Sequence, residues 1–270
     1  MSDDTPPDTG ATASSRGGLA ALAAPERHER LRSLGREASS CTRCPQLVAG
    51  RTQVVFGAGD PDADLMFVGE APGTREDAVG IPIAGSPGKL LDELLASIGL
   101  RRDQVYLVYV LACRPPGNRD PAPTELSRCR PYLEEQVALV EPRVVCTLGD
   151  FATKLLRPGG AGIKQRHGQT EVVEIGRRAV HLLPLFSPAA ALYTRALRTA
   201  LEGDVLRLTE LLARPAPRQP EREESVDDEP VVAASPSGTA TPNEVAPETA
   251  PVEPQPPEPE APDGPQLGLF

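Results

Sequence analysis

Long apolar runs are missing from this chain: nowhere in its 270 residues is there a stretch of the ~20 apolar residues that a membrane-crossing helix needs. The opening stretch MSDDTPPDTGATASSRGG has neither a basic segment nor a long apolar core, so it is not expected to act as a secretory leader. The expectation is a cytoplasmic, nucleoid-associated protein without a membrane segment. Basic charge is not in excess either. The net charge is −10, but residues 215–270 carry all of that deficit together with 14 of the 31 prolines. The overall acidity therefore says little about what the folded part binds. A Pro-rich acidic stretch with almost no aromatic residues buries too little apolar surface to offset its ordering entropy. Residues 1–24 and 215–270 are expected to be disordered flanks of one domain over 25–214. Cysteines number only five, and in a reducing cytosol they are expected as metal ligands rather than disulfides.

Four of those cysteines carry the strongest local pattern. Cys41 and Cys44 form C-x2-C, and Cys113 and Cys129 form C-x15-C after a gap of 68 residues. Two thiols three positions apart can grip one centre from a single turn, and the fold must bring the second pair. Four thiolates complete either a tetrahedral zinc site or an iron–sulfur cubane, and spacing leaves both open. The fifth, Cys146, lies in an apolar run and reads as a packing residue.

Short apolar runs at 64–69, 104–111 and 143–148 end at Gly69, near Cys113 and at Gly149. Helical periodicity occupies 25–36, 86–100, 123–140 and 188–212, and a short helix runs on to 156. Ser86 and Thr124 or its neighbour are the expected caps, and 172–175 with 179–185 suggests a hairpin or strand pair. Continuous apolar strands alternating with helices predict an α/β fold, a three-layer α/β/α sandwich with a mainly parallel central sheet. Functional loops then belong at the carboxyl ends of the strands, at 69–73, 113–118, 149–150 and 186–188.

The segments CTRCPQL, VFGAG, LMFVGEAPGTREDAVGIP, GKLLDELL, CRPPGNRDP and VVCTLG occur in an order that resembles the iron–sulfur (family-4) uracil-DNA glycosylases. The resemblance runs from about Cys41 to Leu212. It implies a 4Fe–4S cluster on Cys41, Cys44, Cys113 and Cys129, DNA as the partner of a monomer, and base excision repair as the activity. It also implies that Glu70 of GEAPG is the catalytic carboxylate, with Gly69 and Ala71 beside the substrate. Three positions depart from the family's pattern. Ile83 stands where an aromatic residue stacks on the base, Tyr109 where an Asn reads the base edge, and Ser187 where a His precedes Pro188. An Ile has no π-face, a phenol lacks an amide's paired donor and acceptor, and a Ser is a neutral donor.

Contacts to DNA phosphates are expected from loops: Arg114, Asn118, Arg119, Lys164, Arg166 and His167, with Ser86 and Lys89 at the start of a helix. The chain ends in Gln266-Leu267-Gly268-Leu269-Phe270, which resembles the short peptide by which repair proteins dock on the replication sliding clamp. Two readings stand side by side. One is a glycosylase that flips a damaged base, uracil first, and hydrolyses its glycosidic bond. The other is a clamp-tethered iron–sulfur DNA-binding protein whose excision is lost or altered.

Overall fold

Because successive strand residues point to opposite faces, a strand that is apolar throughout needs a cover on both sides. A computed structural model, which describes residues 22–157, 159 and 161–220, meets this requirement. Helices α1 (Ala24–Ser39) and α2 (Pro45–Gly50) lead into β1 (Ala58–Gly59) and β2 (Leu65–Gly69). Next come α3 (Thr74–Val79), α4 (Gly85–Ser97), β3 (Tyr106–Tyr109), α5 (Pro123–Val140) and β4 (Val144–Leu148). Then follow α6 (Asp150–Leu156), α7 (Ile163–Arg166), the hairpin β5 (Glu171–Ile175) and β6 (Arg178–Leu185), α8 (Pro188–Ala191) and α9 (Arg195–Ala213). The sheet order is β1-β3-β2-β4-β6-β5. The four inner strands are parallel, and the edge strands β1 and β5 pair antiparallel.

On one face Leu65, Phe67, Leu107, Val144 and Leu183 pack with Leu91 and Leu95 of α4 and Val205 and Leu208 of α9. On the other, Met66, Val68, Val108, Val145 and Leu182 pack with Leu34 of α1 and Leu133 and Val137 of α5. This is the expected α/β/α sandwich. Cys146 is fully buried at the sheet centre, between Phe67 and Leu183 in register. No described helix is long and apolar enough to cross a membrane.

Local expectations needed correction at three points. Ser86 does not cap α4: the cap position is Ala84, whose N–H donates to Glu76 Oε1 at 3.0 Å. Thr124 does not cap α5, since the cap is Ala122 and the Glu125 carboxylate reaches back to its N–H at 2.8 Å. The single helix expected over 188–212 is broken between α8 and α9. Beyond position 214 the chain stays attached, with Gln219 exchanging hydrogen bonds of 3.1 and 3.0 Å with the Ala179 backbone. Most of 1–24 and 215–270, including Gln266, Leu267, Leu269 and Phe270, lies outside the described residues.

Candidate active site and cysteine corner

Parallel strands send all their following loops to one edge, and there the structure opens a cleft of about 1110 Å³. Residues 69–73, 118–120, 149–150 and 186–190 line it, with Ile83, Tyr109, Lys154 and Lys164. All four strand-end loops expected from the sequence therefore contribute to one cavity.

Glu70 follows β2 directly. Its carbonyl accepts the Leu111 N–H at 3.1 Å, and the Gly69 carbonyl accepts that of Val110 at 2.9 Å. The backbone at Glu70 is thus tied to the end of β3 while its side chain stays half-buried in the cleft. Burial raises the Glu70 pKa above the usual carboxylate range, and the nearby charge of Asp120 adds to the effect. The loop after it is held by Glu76, whose two carboxylate oxygens accept N–H groups of Gly73 and Ala84, each at 3.0 Å. Asp77, almost completely buried, accepts the Thr52 N–H at 2.9 and 3.0 Å. Sequence reasoning overlooked Glu76, Asp77 and Asp120. A Glu three positions after Gly73 is a capping signal that could have found both Glu76 and the helix α3, in a segment whose Gly and Pro residues read as a loop.

Tyr109 ends β3 with its ring lying on Gly69. A Cβ at position 69 would stand 2.7 and 2.8 Å from the Tyr109 ring, so Gly69 is the close approach that makes room for it. The Tyr109 hydroxyl accepts the Ile83 N–H at 2.9 Å, and burial keeps the phenol from ionising. Ser187 occupies the cap position of α8, and its Cβ lies 3.4 Å from where a Cβ on Gly149 would be. A side chain on Gly149, which has φ 92, would crowd Ser187.

His167 is not part of the cleft wall. Its Nδ1 lies 2.7 Å from Oδ2 of the buried Asp204, and its ring rests 4.5 Å from that of Phe186, the neighbour of Ser187. Of the residues expected to meet phosphate, Asn118, Arg119 and Lys164 line the cleft. Arg119 is clamped by both oxygens of Glu125 at 2.9 and 2.6 Å, and Arg114 donates to Asn118 Oδ1 at 2.8 Å. Ser86 and Lys89 sit in α4 close to Pro87, which reaches the cleft wall. Arg166 closes the last turn of α7. Lys154, paired with Asp150 at 2.5 Å, is a cleft cation that the sequence reading did not single out.

The four cysteines converge beside the cleft. Cys44, Cys113 and Cys129 pack with Leu47, Leu111, Ala71 and Leu126, and the last two residues also line the cleft. Cys41 sits against the neighbouring core, and it and the Cys44 and Cys113 thiols all act electrostatically on Cys129. Burial pushes the Cys129 thiol up to about 12, and the Ala112 N–H points at its sulfur from 3.4 Å. The Arg51 guanidinium donates to Cys113 Sγ at 3.0 Å and to the Cys41 carbonyl at 2.7 Å, joining two cysteine-bearing segments. Arg43 and Arg128 donate to each other's carbonyls at 3.1 and 2.7 Å, which ties the C-x2-C turn to the helix carrying Cys129. Among the described residues no three His, Cys, Asp or Glu side chains close round a single ion. Four converging thiols, with N–H donors aimed at two of the sulfurs, fit a group that takes one thiolate at each of four corners.

Residues 56–207 match the sequence profile of the Uracil DNA glycosylase superfamily. The type-4 uracil-DNA glycosylase of Archaeoglobus fulgidus is 42% identical over 193 residues, covering 70% of this chain and 96% of that protein. That of Sulfurisphaera tokodaii is 40% identical over 190 residues, covering 68% and 86%. A type-5 uracil-DNA glycosylase of Thermus thermophilus is 33% identical over 149 residues, covering 44% and 68%. With more than half of its length in the matched region and the strand-end cleft intact, the chain belongs to the uracil DNA glycosylase superfamily.

Proposed function

We propose that this cleft excises uracil from DNA by hydrolysing the bond between the base and C1′ of its deoxyribose. The half-buried carboxylate of Glu70, fixed at the end of β2 on the cleft wall, carries the proposal. A base stacked in a duplex is out of reach, so the nucleotide must turn out of the helix into the cleft. As the bond to the base breaks, the sugar becomes cationic and the base leaves as an anion. An ionised Glu70 stabilises the cation and orients the water whose oxygen ends on C1′. The departing base takes a proton, and donors near it, Tyr109 and Ser187, favour its negative charge. The second reading, a DNA-binding protein without excision, is disfavoured: a half-buried carboxylate on the cleft wall suits excision, and the relatives are named as glycosylases.

Lys154 and Lys164, on the cleft wall, suit the phosphates flanking the flipped nucleotide, and Arg114, Asn118, Arg119, Arg166, His167, Ser86 and Lys89 extend that contact. Between α8 and α9, Leu192 and Tyr193 are 37% and 90% exposed. An exposed apolar pair one turn past the cleft wall suits the gap left in the base stack.

Cys41, Cys44, Cys113 and Cys129 would hold a 4Fe–4S cluster, which would tie the α2 turn, the β3 loop and α5 together beside the cleft. Its contribution is to shape the wall that Ala71 and Leu126 share with the cleft. The protein would act as a monomer in the cytoplasm, and residues 266–270 would dock on the sliding clamp through Leu269 and Phe270. Replacing both by Ala should abolish clamp binding in a pull-down with purified clamp and leave excision on short oligonucleotides unchanged.

The deciding experiment is single-turnover cleavage of duplex and single-stranded oligonucleotides, each carrying one uracil, hypoxanthine or mismatched thymine. Release of uracil well above the other bases is expected. Binding without release of any base would refute the excision reading.

A further inference from the structure

The Tyr109 hydroxyl has one of its two roles already taken. A phenol oxygen is conjugated with its ring and keeps one in-plane lone pair opposite its O–H. That lone pair receives the Ile83 N–H at 2.9 Å. Among the described residues, no acceptor takes the hydroxyl's own hydrogen, and Tyr109 borders the cleft. The ring lies against Gly69, where a Cβ would stand 2.7 Å from it, and the bond from the Ile83 N–H holds the hydroxyl in place.

The partner of that bond is fixed with equal firmness. Ile83 has φ 50, a left-handed conformation that a β-branched residue rarely adopts. Such strain persists only where the surroundings over-determine it. Here the Arg102 guanidinium donates to the carbonyls of Pro82 and Ile83 at 2.5 and 2.7 Å. The next N–H, that of Ala84, is taken by Glu76. Gly88 permits the approach, since a Cβ there would stand 2.2 Å from the Ile83 carbonyl oxygen. The Ile83 N–H therefore stays aimed at Tyr109, and the hydroxyl hydrogen is left for whatever fills the cleft.

We propose that Tyr109 reads the flipped base as a hydrogen-bond donor only, selecting bases that present a carbonyl oxygen against those with an amine there. Resting on the excision reading, this makes uracil preferred over cytosine by a group other than an amide. An exocyclic amine at that position would set donor against donor and leave both unsatisfied. Ile83 contributes an aliphatic wall and, through its strained turn, the orientation of the hydroxyl.

The test is competition by free bases. With the full-length, cluster-loaded enzyme acting on a uracil oligonucleotide, free uracil should inhibit at a concentration about tenfold or more below that of free cytosine. In Tyr109→Phe the two bases should inhibit equally, through weakened uracil rather than strengthened cytosine. Inhibition constants do not depend on the fraction of enzyme that is folded, so they remain readable if the substitution loosens the protein. A merely structural role for Tyr109 would weaken both bases in parallel and keep the wild-type preference, and that result overturns the proposal. Equal inhibition of the wild type by the two bases overturns it as well. A wild type that releases no uracil defeats the excision reading itself, a result distinct from an unchanged preference in Tyr109→Phe.

Discussion

The cysteine corner and the base cleft share a wall at Ala71 and Leu126, yet they obey different rules of substitution. In the corner, as ligands of the proposed cluster, the thiols would answer a geometric demand that no other side chain meets, and arginine clasps fix the segments around them. All four cysteines of the family pattern are present. In the cleft the demand is for a shape and a set of donors, which different side chains can supply. Ile83, Tyr109 and Ser187 are the positions where the resemblance implies other residues, and the first two are joined by a hydrogen bond. Ligand sets change by loss, whereas pockets can change by coupled replacement.

The comparison is tested most severely by removing one thiol from each setting. Cys113→Ser should lose nearly all iron and unfold at a markedly lower temperature, because an unfilled corner leaves the α2 turn and α5 untied. Cys146→Ser should keep the iron and the absorbance near 400 nm (roughly, for thiolate-bound clusters). Retention of full iron by Cys113→Ser would break the contrast.

Glu70→Gln should reduce uracil excision by about a hundredfold or more in single-turnover assays. Stability should move the other way, or not at all. A carboxyl whose folded pKa is raised adds stability only when protonated, below its unfolded pKa, and loses it as the pH rises through the folded pKa. The raised pKa of Glu70 is of this kind, so at a pH above it the neutral amide of Gln costs no stability that the carboxylate supplies. A melting temperature well below wild type at pH 7 would mean that Glu70 is structural.

The coupled nature of the cleft changes is measurable by a double-mutant cycle. Tyr109→Asn alone should cost roughly 2–4 kcal/mol, because it empties the space over Gly69 and strips the Ile83 N–H of its acceptor. Adding Ile83→Phe should cost less than the sum of the two single changes, as expected for residues in contact. Together with Ser187→His, the pair should raise uracil excision. Strict additivity in urea melts would show the two positions to be independent.

The layers of the fold were legible because strand and helix periods differ, and the apolar runs at β2, β3 and β4 had no polar face to confuse them. The site was legible as far as backbone topology dictates it: strand-end loops had to meet. What the sequence hid were contacts made by side chains across distance. Nothing in the spacing of Tyr109 and Ile83 indicates that one hydroxyl holds a turn 26 positions away, nor that Arg119, read as a phosphate ligand, is clamped by Glu125. His167 is the clearest case. Its Nδ1 lies 2.7 Å from Oδ2 of Asp204, brought in by α9, a contact that no spacing along the chain announces.

The smallest effect expected is electrostatic. Excision that needs an ionised Glu70 should fail as the pH drops through that group's pKa, so the acid limb of the pH–rate profile should lie above the ~4.3 of an ordinary glutamate. Burial is the larger cause of the shift, and the negative charge of Asp120 is the lesser one. Asp120→Asn removes that charge and makes ionisation of Glu70 easier, so the acid limb should move to lower pH but only part of the way. The plateau rate at higher pH should change little, because Glu70 is ionised there in both proteins. A limb that stays in place would assign the whole shift to burial. A limb that moves to higher pH would mean that Asp120 or the water around it stabilises the ionised form, which reverses the sign argued from the two carboxylates.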